Sequence, residues 1–301
     1  MTPGVYGAHA AAPAKRLLPK DVHPGRVLAG TIATGAIAAA GVLHRARHTS
    51  PYAPCLERLD LAIPARFSGW QPFRIGFITD MHIGPVIRAA DIDRALSLLY
   101  SERPDLLLLG GDYICESPRF APDAAAVLGD HAAAVPFGAL AVLGNHDYSC
   151  DAPRLTSLLE RRGIRVLRNE SARVATHSGE LWVAGIDDAI LGSPNVPRAF
   201  ANMPSDGPVV AIWHEPDWAS ETAQFEPMLQ LSGHSHGGQV RLPLVGHVAA
   251  PSGGRRYVAG LHAAAGMPVY TSRGVGVYRP PIRFRCPPEV TLITMQPSPG
   301  A

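Results

Sequence analysis

From Cys55 onward the chain repeats one pattern: a short run of Ile, Leu and Val, then a polar loop. "RIGFITDMH" runs from Arg74 into Asp80 and His82, and "DLLLLGGD" from Asp105 into Asp112. "ALAVLGNHD" ends on Asn145, His146 and Asp147, and "ELWVAGIDD" on Asp187 and Asp188. "PVVAIWHEPD" passes through His214, and "MLQLSGHSHGGQV" through His234 and His236. Near-continuous apolar runs of this length predict strands buried on both faces. Between them, "AADIDRALSLLYSERP" has apolar residues at helical spacing and stops at Pro104. "APRLTSLLERRGI" does the same, with Gly163 as its C-terminal cap. Strands alternating with helices predict an α/β architecture. Ligands in such folds gather beyond the carboxyl ends of the strands. Here nearly every such end delivers Asp, His or Asn.

The first fifty residues break this pattern. Residues 1–26 are rich in Ala and Pro and lack periodicity, which predicts a disordered basic arm. Residues 27–43, "VLAGTIATGAIAAAGVL", carry no charge. That length suits a membrane anchor or a signal segment, with a buried helix of the body as the alternative. Four basic residues precede it and two follow. The positive-inside rule then puts the N-terminus in the cytoplasm and the body, anchored to the cell membrane, on the extracytoplasmic side.

Charge sharpens the division. The first fifty residues hold six basic side chains against Asp21, a balance of +5 out of a net +2, which leaves −3 for the rest. A mildly acidic body argues against nucleic acid as a partner, and the basic arm suits anionic lipid. The four cysteines form no C-x-x-C pair, so they read as free thiols and not as a structural zinc site.

Each polar strand end taken singly reads as a turn or a cap. Together Asp80, His82, Asp112, Asn145, His214, His234 and His236 form a donor set of imidazole, carboxylate and amide without thiolate. That set suits Mn, Fe or Zn better than Ca. Seven donors exceed what one ion uses while keeping a position open, so two divalent ions bridged by Asp112 are expected. On a strand-like loop His234 and His236 point the same way, one to each ion. Such a pair neutralises a phosphoester and brings the pKa of a water from about 15.7 towards about 7. His146 is then free to protonate the leaving oxygen or bind the phosphate. Asp147 either orients the His146 ring or caps a turn. Arg255, Arg256, Arg273 and Arg279 lie in loops after the last histidines, either as guanidinium forks for phosphate or as solvated surface charge.

In this order the motifs "DMH", "GGD", "GNHD", "WHEPD" and "GHSH" resemble the calcineurin-like metallophosphoesterase superfamily. The match spans Arg74–Val240. "GHSHGGQVRLP", "GRRYVAGLH", "SRGVGV" and "PIRFRCPPEVTLITM" are similar to its bacterial membrane-associated branch, which includes phosphodiesterases and UDP-2,3-diacylglucosamine hydrolases. The resemblance implies an α/β fold of four layers: an αββα sandwich of two packed mixed β-sheets flanked by helices, over residues 55–297. It implies one ion on Asp80, His82, Asp112 and His236, and another on Asp112, Asn145, His214 and His234. His146 would be the catalytic histidine. Apart from the resemblance, Asp147 is the candidate partner of that ring, and Arg255, Arg256 and Arg273 are the candidate substrate-binding residues. Purple acid phosphatases of the superfamily place a ligand Tyr three residues after the G-D aspartate. Here that position is Cys115, so no tyrosinate-to-iron colour is expected. The implied activity is phosphodiester or pyrophosphate hydrolysis on a lipid-linked or envelope substrate. Two alternatives are a phosphomonoesterase or protein phosphatase, and a membrane-bound interaction protein without turnover.

Overall fold

Two six-stranded mixed sheets carry the fold in the computed structural model, which describes residues 38–64, 70–204 and 207–297. The first contains β1 (Cys55–Ile63), β2 (Phe73–Ile78), β3 (Leu106–Leu109), β4 (Ala139–Ala141), β5 (Ile164–Val166) and β14 (Glu289–Pro297), in the order β1-β14-β2-β3-β4-β5. The second contains β6 (Glu170–Thr176), β7 (Gly179–Gly185), β8 (Val209–Ile212), β9 (Leu229–Ser232), β12 (Gly260–Ala264) and β13 (Met267–Thr271), in the order β12-β13-β9-β8-β7-β6. Strands β2 to β5 run parallel, as do β7, β8, β9 and β13. A small ribbon, β10 (Arg241–Leu242) with β11 (Gly246–His247), stands apart from both.

The apolar runs are continuous because each strand is covered twice. In β3, Leu106 and Leu108 enter the core between the sheets, while Leu107 and Leu109 enter the core under the helices. In β8, Val210 and Ile212 face the first sheet, and Val209 and Ala211 pack with Val196, Ala199 and Phe200. Helices Ala89–Tyr100, Ala121–Ala132 and Ala152–Glu160 cover the first sheet, and Val196–Phe200 covers the second. This is the αββα sandwich that the motifs implied. A fully buried leucine of this kind stabilises the fold by about 1.5–3 kcal/mol. All six strands expected from the apolar runs are present, as are both helices, and Gly163 takes a φ of +79° beyond the second.

The expected arm, 1–26, and residues 27–37 of the expected anchor lie outside the described residues. Residues 38–48 are helical. Among the described residues no helix is long and apolar enough to cross a membrane. From His44 onward the described residues form one compact unit. The four cysteines are free thiols, with Cys115 and Cys286 buried.

Candidate metal centre

Loops beyond β2, β3, β4, β8 and β9 carry Asp80 and His82, Asp112, Asn145, His214, and His234 and His236. Backbone bonds tie these loops together. The Asp80 N–H donates to Gly111 O at 3.0 Å, the His82 N–H to Asp112 O at 3.0 Å and the Gly233 N–H to His214 O at 2.9 Å. Five of the seven donor residues hold left-handed backbone: Asp80, His82, Asp112, His234 and His236, with φ between +48° and +66°. Such positions cost of order 1–3 kcal/mol each and persist where the surroundings enforce them, as at functional sites. The histidine pair is therefore not on a strand-like loop. Ser235 is right-handed between two left-handed histidines, and a short 3₁₀ turn begins at His236. Close approach explains two glycines here. A Cβ on Gly233 would lie 2.2 Å from Asp80 Oδ2, and one on Gly144 would lie 2.3 Å from Asp112 Oδ1.

The side chains converge as two groups, with Asp112 in one and 3.4 Å from His82 of the other. Asp80, His82 and His236 bring donor atoms within 4.8 Å of one another, and so do Asp112, His214 and His234; a third set joins His82, Asp112 and His146. His82 Nε2 lies 2.9 Å from His236 Nε2 and 3.4 Å from Asp112 Oδ2. His214 Nε2 lies 3.2 Å from Asp112 Oδ2, and His236 Nε2 lies 3.4 Å from Asp80 Oδ1. Donors about 2.1 Å from one cation stand roughly 3.0 Å apart at right angles and roughly 3.4 Å apart at the tetrahedral angle. The observed spacings fall in that window. Asn145 Oδ1 and His214 Nε2, both on the donor side, are buried without a hydrogen-bond partner. Each orphan costs about 1–3 kcal/mol unless something coordinates it. The donor set therefore fits divalent cations.

Supporting contacts orient the rings. His214 Nδ1 donates to Gly110 O at 2.7 Å, and His234 Nε2 donates to Ser252 O at 2.8 Å, which turns the opposite ring nitrogen of each towards the donor groups. Asp80 accepts the His234 N–H at 2.9 Å and the Thr79 hydroxyl at 2.9 Å. Burial drives His82 down to about 3 and His234 to about 4, and puts His236 well below the ordinary imidazole range. These three rings are neutral at physiological pH, the form that ligates. Burial alone would raise Asp112, but the His214 ring beside it prevails and holds the carboxylate well below its usual range. Burial pushes Asp80 up to about 6. Buried anionic charge of this kind calls for compensating cations.

The remaining expected residues divide. His146 is half-buried on the wall of a cleft of about 800 Å³ that also exposes Asp112, Asn145, His234 and His236. Its N–H donates to Asp112 Oδ1 at 2.8 Å, and its ring lies 4.7 Å from the His82 ring. Asp147 does not orient that ring. It is wholly buried, and its carboxylate accepts the backbone N–H groups of Asp112, Tyr113, Ile114 and Gly144 at 2.8–3.3 Å. It is the capping alternative, a positioning residue that locks the β3 and β4 loops. Asp147→Asn turns two of those acceptor positions into donors facing N–H groups. A loss of about 2–4 kcal/mol is expected in chemical denaturation.

Arg273 is held away from the cleft by ion pairs with Glu57 and Glu289. Arg255 and Arg256 are exposed and absent from the cleft wall. Arg279 does line it, paired with Glu116 at 2.9 Å. Asp187 and Asp188 stay outside the donor groups; Asp188 Oδ1 instead accepts the N–H groups of Ile190 and Gly192 at 3.0 and 3.1 Å. The residues missed from sequence are Tyr278, whose ring lies 4.8 Å from that of His146, and the carbonyls of Gly110 and Ser252. Only a folded backbone brings those groups to the site.

Residues 73–238 match the family model described as calcineurin-like phosphoesterase. The chain belongs to the calcineurin-like phosphoesterase family. It is 30% identical over 271 residues to the uncharacterized metallophosphoesterase YkuE of Bacillus subtilis, covering 89% of this chain and 94% of that protein. It is 37% identical over 231 residues to the phosphodiesterase YaeI of Escherichia coli, covering 74% and 82%. A zebrafish (Danio rerio) transmembrane protein with metallophosphoesterase domain is 30% identical over 237 residues, covering 74% of this chain and 53% of that protein. Family membership makes the chain a phosphoester hydrolase that uses a binuclear divalent metal centre, and its Asp/His groups supply candidate donors.

Proposed function

We propose that this metallophosphoesterase is a phosphodiesterase whose substrate carries an apolar part beside the scissile phosphodiester, such as UDP-2,3-diacylglucosamine or another lipid-linked envelope ester. One observation carries the metal assignment: Asp112 Oδ2 stands within 3.4 Å of both His82 and His214, between the two donor groups. Asp80, His82, Asp112 and His236 hold one cation, and Asp112, Asn145, His214 and His234 hold the other. When bound, the pair supplies charge neutralisation and water activation. The His146 ring faces the cleft, where it can deliver a proton to the leaving oxygen. Tyr278 limits the tilt of that ring by packing against it. Beyond these groups the cleft wall turns apolar, through Ile190, Val240, Val248, Ala249, Ala250 and Pro251. An acyl or prenyl group next to the phosphodiester would be shielded there from water. The relative YaeI is named a phosphodiesterase, in line with diester chemistry.

Bis(p-nitrophenyl) phosphate hydrolysis with Mn²⁺ is expected to exceed that of p-nitrophenyl phosphate at least tenfold in kcat/KM and to stop with chelator. A faster monoester would give the phosphomonoesterase alternative. No hydrolysis with any divalent ion would favour a binding protein on the same fold. A mass-spectrometric screen of envelope lipids and nucleotide-lipids, with Mn²⁺ added, tests the substrate class.

A further inference from the structure

The ribbon β10–β11 exposes side chains that a water-soluble surface normally hides. Leu244, at its tip, is 108% exposed, Val245 72%, Val248 59% and Leu242 43%. Leu244 sits at a φ of +66° and the following turn closes at Gly246 with a φ of +83°. The hairpin is joined to the body through Val240, whose backbone pairs with Phe284, and through the Arg241 N–H, which donates to Phe284 O at 2.9 Å. A cluster of apolar side chains on a protruding turn marks an interaction surface.

Charge identifies what it meets. From Pro227 to Pro288 the chain has seven arginines and no acidic residue. Arg273 and Arg279 are taken by Glu57, Glu289 and Glu116, and Arg283 is buried on backbone carbonyls. Among the described residues Arg241, Arg255 and Arg285 form no ion pair. Arg241 is at the hairpin stem, Arg285 follows the strand position that pairs with the stem, and Arg255 reaches Ala250 O, just after the hairpin, at 3.3 Å. Apolar side chains near arginines that have no acidic partner complement an anionic bilayer: the tip enters the acyl boundary and the guanidinium groups meet phosphates.

We propose that the hairpin 240–248 docks the protein on an anionic phospholipid bilayer. Docking turns the cleft mouth to the membrane, because Val248 to Pro251 continue from the hairpin into the cleft wall. The inference concerns binding to a surface and goes beyond the substrate reading; its readouts do not depend on turnover of a lipid.

The test uses the full chain and vesicles of phosphatidylglycerol with phosphatidylethanolamine, compared with phosphatidylcholine. The double variant Leu244→Asp, Val245→Asp is expected to lose at least tenfold in partitioning to the anionic vesicles. Its melting temperature and its hydrolysis of bis(p-nitrophenyl) phosphate should stay at wild-type values. A Leu244→Trp variant reports on the hairpin itself, whatever other segment binds. Its added fluorescence should shift to the blue and be quenched by brominated lipid. Equal partitioning of wild type and double variant, or a residue-244 signal unmoved by vesicles, would overturn the proposal. So would a wild-type dimer that the double variant dissolves without any vesicle binding, since the occupant would then be a second copy of the chain.

Discussion

Asp112→Asn should lower kcat/KM for a phosphodiester about 10³-fold, a loss of roughly 4 kcal/mol in transition-state stabilisation. The substitution keeps shape and removes charge. Asp112 Oδ2 is the one anionic atom placed against both His82 and His214, so neutralising it weakens both donor groups at once. The fold should tolerate the change. Asn Oδ1 can still accept the His146 N–H, now made at 2.8 Å. The new amide can donate towards His214 Nε2, an atom otherwise buried without a partner. The variant should therefore still fold in the presence of chelator, while titration calorimetry with Mn²⁺ shows weakened binding. Activity within threefold of wild type would remove Asp112 from the centre of the mechanism.

His146→Asn has the second largest expected effect and a different signature. The His146 backbone N–H, which donates to Asp112, is retained by any substitution but proline. Cation binding and KM should stay within about threefold, while kcat falls about 10²–10³-fold, the usual range for loss of a positioned proton donor. A substrate with a better leaving group needs less protonation. The defect should therefore shrink with bis(p-nitrophenyl) phosphate compared with an alkyl diester. A uniform loss across leaving groups would make His146 a phosphate-binding residue instead.

The sequence makes the scaffold legible because burial on both faces writes itself as uninterrupted apolar runs. "LLLL" in β3 and "VVAI" in β8 alternate between two cores, so neither face needs a polar residue. The donor residues are legible for a related reason: each follows directly on a strand, and chain order preserves their sequence. Backbone conformation is not. Nothing in the letters of "GHSHGG" signals that both histidines take left-handed φ, because the constraint comes from Asp80 accepting the His234 N–H from 154 residues away. Asp147 shows the same limit. Adjacency to His146 suggested a catalytic partnership, but on a helical turn adjacent side chains diverge, and the carboxylate turns inward to four amides. Arg273 fails as a phosphate ligand for a long-range reason as well. Its partners, Glu57 and Glu289, lie on β1 and β14, neighbouring strands in the sheet but far apart in the chain.

The central claim is that Asp112 lies between two cations. Anomalous diffraction from crystals grown with Mn²⁺, recorded at the manganese edge, tests it without reference to turnover. The expected map has two peaks per chain: one among Asp80, His82 and His236, and one among Asn145, His214 and His234, with the Asp112 carboxylate between them. A single peak, or peaks only at surface carboxylates, would contradict the account.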